Sequence, residues 1–416
     1  MTGATSTTKP QRITFGSTTL SPQAIDAVVE VLSSGWLTTG PQVAAFEDDI
    51  ASFVGARHAI AVSSCTAAIE LALRALRLTP GAKVLTSANT FCGAVNAIVH
   101  AGGWPILADV DPRTLMPSPE TVAAAARRAG GVDAMVVLHF AGYPAPVEEL
   151  ATAAGLPLTL VIEDAAHALG ARDGDRAIGS ISAATCFSFY ATKNLPIGEG
   201  GMVTTDDDDV ADFVRRTRLH GMSRDAWKRY LPGSGWRYAV DDIGMKANMT
   251  DVQAAIGRAQ LVEFPRWQRR RADLADRYDA LLEGLEGLVL PARPAEGDHA
   301  WHLYVVRTQE GFGIDRDAVV ASLAEAGVDC SVHFIPIHHL ASYRGLVAET
   351  SSDLPTLEAA FPTYFSLPLH QGLDDAAIDR VGDALWNAHR AGDRSAGSSG
   401  HSERHPTAGA LSRVRR

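Results

Sequence analysis

Three stretches of this 416-residue chain place chemically able side chains directly after apolar runs. The first, His58-Ala-Ile-Ala-Val-Ser63-Ser64-Cys65-Thr66-Ala-Ala-Ile-Glu70, reads as a strand, a small polar turn and a helix start. Unpaired N–H groups and the helix dipole favour an anion there, and hydroxyls add donors, so a phosphate would sit well; the same Ser and Thr would equally serve as plain helix caps. The second, Leu160-Val-Ile-Glu163-Asp164-Ala-Ala-His167, ends an apolar strand with two carboxylates. A carboxylate in that place can hold a proton on a heteroaromatic nitrogen, or it can be part of an ordinary strand-end turn. The third, Cys186-Phe-Ser188-Phe-Tyr-Ala-Thr-Lys193-Asn194, puts one lysine after an alternating strand and before a glycine-bearing loop and another short strand. A partly desolvated amine has a lowered pKa and can form a Schiff base with an aldehyde, whereas most lysines are merely solvated.

Positioning these groups requires a scaffold that brings strand ends together. Apolar runs at His58 to Val62, Val84 to Ser87, Ile106 to Asp109, Ala134 to His139 and Leu158 to Ile162 alternate with amphipathic segments. That alternation predicts a mostly parallel sheet with helices on both faces, whose ligands bind beyond the carboxyl ends of the strands. Upstream, two helices flank an exposed turn at Gly35 to Pro41. Downstream, Thr250 caps a helix expected to end at Pro265, where a second long helix begins. After Pro291 a smaller α+β unit follows, with strands at His302 to Val306 and near Cys330 to Phe334, and helices at Asp315 to Ala326 and around Ala376 to Ala388. The expected organisation is a large domain over 13–264 and a small one over 265–391. Residues 1–12 and the basic tail 392–416, rich in Ser, Gly, His and Arg, are expected to be disordered.

Composition narrows the function. With 37 basic and 48 acidic residues the chain carries a formal charge of −11, which disfavours a nucleic-acid partner. Its apolar runs are far shorter than the ~20 residues a membrane helix needs, and the polar start lacks a secretory core, so a cytoplasmic protein without a membrane span is expected. Cys65, Cys92, Cys186 and Cys330 lie 27, 94 and 144 positions apart, which suits neither a zinc site nor an iron–sulfur cluster; no metal is expected.

The chain resembles the DegT/StrS family of nucleotide-sugar aminotransferases, fold-type I enzymes that depend on pyridoxal 5′-phosphate (PLP), over about residues 14 to 390. The likeness rests on Ser34-Gly-Trp-Leu-Thr-Thr-Gly-Pro41, Glu163-Asp-Ala-Ala-His167, Phe187-Ser188-Phe189 with Lys193, Gly244 to Ala255, His299-Ala-Trp-His-Leu-Tyr304 and Leu367-Pro-Leu-His370, in that order. The resemblance implies that Lys193 holds the cofactor covalently and moves the proton, that Asp164 keeps the pyridine nitrogen protonated, that His167 lies near the phenolic oxygen and that Phe91 stacks on the ring. It assigns Ser64, Cys65, Thr66 and Ser188 to the phosphate cup. A glycine is usual where this chain has Cys65, so that side chain must point away from the phosphate or crowd it.

The same resemblance implies a homodimer with composite sites, in which Lys246 or Asn248 reaches the neighbouring subunit's phosphate. Trp36, Thr38, His338 and His339 would wall the sugar pocket, and Arg229 and Arg237, in the insertion from Met222 to Asp242, could hold a diphosphate. The implied reaction moves an amino group from an amino acid, L-glutamate, to a nucleotide-diphospho-keto-6-deoxyhexose, at C4 in preference to C3. A keto-cyclitol aminotransferase, a PLP-dependent sugar dehydratase and a catalytically inactive regulatory protein of the same fold are the alternatives.

Overall fold

The computed structural model describes residues 11–222, 239–347 and 353–399. Helices α1 (Pro22–Ser34) and α2 (Pro41–Val54) flank the exposed turn expected between them. Each begins at a proline, whose missing N–H is harmless in a first turn, and each stops at a left-handed glycine, Gly35 at φ 74° and Gly55 at φ 76°. The chain then alternates through β1 (His58–Val62), α3 (Cys65–Ala75), β2 (Lys83–Ser87), α4 (Cys92–His100), β3 (Trp104–Ala108), α5 (Pro119–Arg128), β4 (Ala134–Leu138), α6 (Val147–Ala154) and β5 (Val161–Asp164). A two-residue hairpin follows, β6 (Arg172–Asp173) and β7 (Arg176–Ala177), then β8 (Ala184–Ser188), β9 (Gly201–Thr205) and α7 (Asp208–Thr217).

Seven strands form one sheet in the order β1-β9-β8-β5-β4-β2-β3, with β9 antiparallel to both neighbours and the other pairings parallel. A parallel strand covered on both faces must be apolar throughout, and every residue of β4 is buried. Successive side chains feed opposite cores: Leu85 and Met135 join Phe46 and Phe187 on one face, while Val84 and Val136 join Ile60 and Val203 on the other. Because β1, β5 and β8 run the same way, they deliver Ser64, Asp164 and Ser188 to one edge.

The helix end expected at Pro265 does not occur. A single helix, α8 (Asp251–Leu282), runs through it from a Thr250–Gln253 capping box. Proline removes one helical hydrogen bond and costs about 3 kcal/mol in a helix interior. Phe264, Trp267, Arg271 and Leu274, buried on both sides of it, hold the helix together. Phe264 lies in the core of the large sheet and Leu274 in a second core. That second core backs an antiparallel sheet of β10 (Leu288–Val289), β11 (Tyr304–Thr308) and β12 (Tyr364–Leu367), with α9 (Arg316–Glu325), α10 (Pro355–Ala360) and α11 (Asp375–Ser399) completing the chain.

The strand expected near Cys330 to Phe334 is absent as well. Only Ser331 exchanges main-chain hydrogen bonds, with Ser366, and Phe334 turns its backbone to side chains, its N–H donating to Asn89 Oδ1 at 3.2 Å and its carbonyl accepting from the Tyr364 hydroxyl at 2.6 Å. Helix α11 continues past residue 391 to Ser399, and the rest of the basic tail, 400–416, lies outside the described residues. At the other end, Ile13 bridges to Val328, and the Arg12 guanidinium donates to Asp329 at 2.7 Å. Among the described residues no helix is long and apolar enough to cross a membrane.

Candidate active site

Three strand ends and two helix starts enclose a cavity of about 400 Å³. The turn after β1 supplies its anion end. Ser64 caps α3, its Oγ accepting from the Ala67 N–H at 3.2 Å, and the hydroxyl proton stays free to donate, so the cap and the anion donor are one group. Thr66 and Ser188 line the same end. Two glycines allow this approach. A Cβ on Gly201 would lie 2.4 Å from the Ser64 carbonyl carbon, and one on Gly93 would lie 2.7 Å from Thr66 Oγ1.

Cys65 does not crowd the cup. Its Sγ turns beneath the site, 3.3 Å from the Cys186 carbonyl oxygen and 3.8 Å from Asp164 Oδ1. Burial pushes this thiol well above its ordinary range, so it remains protonated. Asp164 ends β5 with Oδ1 accepting from the Ala166 N–H at 3.1 Å, while no hydrogen bond within the described residues engages Oδ2. Burial raises this carboxyl from its ordinary value, partly opposed by the Ala166 N–H and by Lys193. Lys193 is half-buried and has no hydrogen-bonded partner on Nζ among the described residues. Burial draws its amine down to about 8, against the pull of Asp164.

His167 and Phe91 complete the expected set. The Ala141 N–H donates to His167 Nδ1 at 3.2 Å, so the neutral ring carries its proton on Nε2 and faces the cavity as a donor. Burial keeps that ring neutral by drawing its pKa well below the imidazole range. Phe91, 57% exposed at the start of α4, forms an open wall, with its ring centroid 5.8 Å from that of Phe334. All eight cavity residues expected from one chain, Ser64, Cys65, Thr66, Phe91, Asp164, His167, Ser188 and Lys193, therefore meet.

Other expected residues lie elsewhere. Lys246 donates to Asn248, which donates to Thr39 Oγ1 at 2.7 Å. Beside them the Thr38 carbonyl accepts from Asp251 N, and Trp36 Nε1 donates to the Thr39 carbonyl at 3.1 Å. These two motifs thus pack into one corner outside the cavity, next to the end of β1, where Ser63 N donates to the Ala247 carbonyl at 2.7 Å. His338 and His339 both hydrogen-bond Glu358 Oε1, also away from the cavity. Arg229 and Arg237 lie outside the described residues.

Phe15, Gly16, Tyr190, His302, His333 and Phe334 line the cavity without having been assigned to it. His302 stood within a motif of the resemblance, which carried no role for it. Phe15 and His333 give no local signal, since only the packing of the amino-terminal arm against the small sheet brings them in.

A cup for an anion, an open carboxylate, a neutral imidazole donor and a partly neutral amine at one sheet edge define a fold-type I PLP-dependent enzyme, and the residues present fit each polar part of that cofactor. The sequence model of the DegT/DnrJ/EryC1/StrS aminotransferase family matches residues 19–386. Spore coat polysaccharide biosynthesis protein SpsC of Bacillus subtilis is 42% identical over 368 residues, covering 88% of this chain and 94% of that protein. The PMP form of Spr1654 from Streptococcus pneumoniae aligns with a TM-score of 0.83 at 27% identity, over 93% of this chain and 100% of that one; a PLP form of it gives 0.82. The sugar aminotransferase CalS13 of Micromonospora echinospora gives 0.80 at 29% identity, over 90% and 99%. The chain belongs to the DegT/DnrJ/EryC1/StrS aminotransferase family and is a PLP-dependent sugar aminotransferase.

Proposed function

We propose that the protein transfers an amino group from an amino acid, L-glutamate, to the ketone of a nucleotide-diphospho-4-keto-6-deoxyhexose in the cytoplasm, with C4 aminated in preference to C3. The observation that carries the reading is the meeting, in one cavity beside the Ser64 anion cup, of the Lys193 amine, which burial draws down to about 8, and Asp164, whose Oδ2 lacks a donor among the described residues. Bound PLP supplies the electron sink for a carbanion beside the transferred nitrogen. Asp164 Oδ2 would accept the N–H of the cofactor's ring, and His167 Nε2–H would donate to the oxygen beside its aldehyde. The hydroxyls of Ser64, Thr66 and Ser188, with the first N–H groups of α3, would bind its phosphate. Phe91, on the open wall of the cavity, would stack on one face of the ring. Lys193 Nζ, close enough to neutrality to accept a proton, would hold the cofactor and, once released, would take a proton from the substrate carbon and hand it on.

The working unit is a homodimer. On α1 the side chains of Ile25, Val29 and Leu32 are each more than half exposed at helical spacing, an apolar stripe that a second copy would cover. The exposed Lys246–Asn248 corner would then face the partner's cup, with one of these two residues reaching its phosphate.

The reaction is tested by mixing the pyridoxamine form of the protein with nucleotide-linked 4-keto- and 3-keto-6-deoxyhexoses and with a keto-inositol, and following the return of the cofactor's aldehyde absorbance. Fastest return is expected with the 4-keto sugar. Return with the keto-inositol alone would contradict the nucleotide-sugar reading and leave the aminotransferase standing.

A further inference from the structure

The cavity holds a second imidazole whose protonation is settled by geometry. The Ala300 carbonyl can only accept, and it receives both Asn194 Nδ2 at 2.6 Å and Gln268 Nε2 at 3.0 Å. That fixes the orientation of both amides. Asn194 Nδ2 also donates to Gln268 Oε1 at 2.9 Å, so the atom Asn194 turns to His302 Nδ1, 3.0 Å away, is its carbonyl oxygen. His302 must therefore carry its proton on Nδ1 and leave Nε2 a bare lone pair. Burial keeps the ring neutral. His167 is the opposite tautomer, and the two ring centroids lie 4.3 Å apart. The site thus sets one donor and one acceptor side by side.

Ala141 holds both rings. Its N–H donates to His167 Nδ1, and its carbonyl accepts from the His302 N–H at 2.9 Å. Ala141 itself stands at φ 59° and Trp301, immediately before His302, at φ 49°, both in the left-handed region that non-glycine residues avoid. Strain of this kind persists only where the surroundings over-determine it, and it collects at functional sites.

The polar atoms of PLP leave His302 without a partner. Its phosphate and phenolic oxygens accept, and its one ring N–H belongs to Asp164. The amine being transferred is common to every substrate and cannot sort them. We propose that His302 Nε2 accepts a hydrogen bond from the hydroxyl beside the ketone of the substrate, making His302 a specificity-determining residue and Asn194 the residue that positions it. His302 lines the cavity with Lys193, and its ring lies 4.3 Å from that of His167, which points this acceptor to the reacting carbon rather than to the nucleotide end. The inference rests on the proposed sugar substrate.

The test compares the pyridoxamine form of the wild type with that of His302→Phe, each offered a nucleotide-linked 4-keto-6-deoxyglucose and its 3-deoxy counterpart. The wild type should prefer the hydroxylated sugar by about two- to tenfold, the discrimination one neutral hydrogen bond provides, and the variant should lose that preference. The same preference in both proteins overturns the proposal. So does an equal slowing of the L-glutamate half-reaction by the variant, which would assign His302 to the amine. If only a keto-inositol reacts, the nucleotide-sugar reading fails. His302 is then tested with the keto-inositol and its deoxy counterpart, where a preference lost in the variant supports its role and a preference kept overturns it. Nitrogen-15 spectra of the histidine-labelled apoprotein need no variant: His302 should show a protonated Nδ1 and a bare Nε2, and a protonated Nε2 overturns the proposal.

Discussion

Glu163 and Asp164 are adjacent carboxylates on β5, and the strand's alternation sends them into different surroundings. Glu163 is fully buried and fully answered. Its Oε1 accepts from Ser182 Oγ at 2.8 Å, Thr185 Oγ1 at 2.9 Å and the Ser182 N–H at 3.2 Å, and its Oε2 accepts from His139 Nε2 at 2.9 Å. Burial by itself would raise this carboxyl, but the His139 and hydroxyl donors outweigh it and hold the group below its ordinary value. Asp164, one residue on, keeps one oxygen without a donor among the described residues and is raised. Two neighbours of the same chemistry thus differ in what the fold gives them: Glu163 has both oxygens hydrogen-bonded within it, and Asp164 keeps one oxygen open toward the cavity.

The largest expected effect separates the two. Asp164→Asn keeps the shape but gives up the charge proposed to face the ring nitrogen, and single-turnover rates should fall about 10³-fold while thermal stability stays level or rises. Glu163→Gln should do the reverse. The Ala145 N–H occupies His139 Nδ1, so His139 presents a proton on Nε2, and a Gln amide placed against it leaves two donors facing each other. Urea unfolding should report a loss of about 2–4 kcal/mol, with turnover of the folded protein nearly unchanged.

Acid unfolding sharpens the contrast by sign. Glu163 has its pKa lowered in the fold, so its contribution is complete above the unfolded value of 4.5 and is lost as pH falls through the folded value. Asp164 has its pKa raised, so its burial costs stability at neutral pH, and that cost disappears as pH falls below 3.8. Urea midpoints measured from pH 3 to 7 should therefore lose part of their acid limb in Glu163→Gln. They should rise at neutral pH alone in Asp164→Asn.

What could be read in the sequence was local. Lys193, Asp164 and the Ser64 turn each sit within a strand-turn motif whose chemistry needs only a few consecutive residues, and the alternation of strands and helices predicted that their ends would meet. Groups placed by distant packing were not legible. His302 depends on Asn194, Gln268 and a strained Ala141, which are spread over three elements, and no spacing announces them. Pro265 misled because a helix interior usually excludes proline, and only burial on both of its sides explains the continuous α8. Cys65 was uncertain because side-chain direction at a helix start depends on what lies underneath, here Asp164 and the Cys186 carbonyl.

Two smaller effects follow from the same edge. An amine titrating near 8 must lose its proton before it reacts with an aldehyde, so capture of PLP by the apoprotein should speed up about tenfold per unit as pH rises towards 8 and then level off. Stopped-flow absorbance reads this directly, and a midpoint near 10 would mean that Lys193 is solvated. Cys65→Gly would let water reach Asp164 from below. An increase of about threefold in the PLP dissociation constant is expected, measured by fluorescence titration.

The proposed chemistry depends on Lys193 as the residue that binds the cofactor. The chain has five lysines: Lys9, Lys83, Lys193, Lys228 and Lys246. Borohydride reduction of the PLP-loaded protein followed by peptide mass mapping should place the phosphopyridoxyl group on the Lys193 peptide at full occupancy, and Lys193→Ala should take up none. Labelling at Lys83 or Lys246 in the wild type, or undiminished labelling of Lys193→Ala, would contradict it.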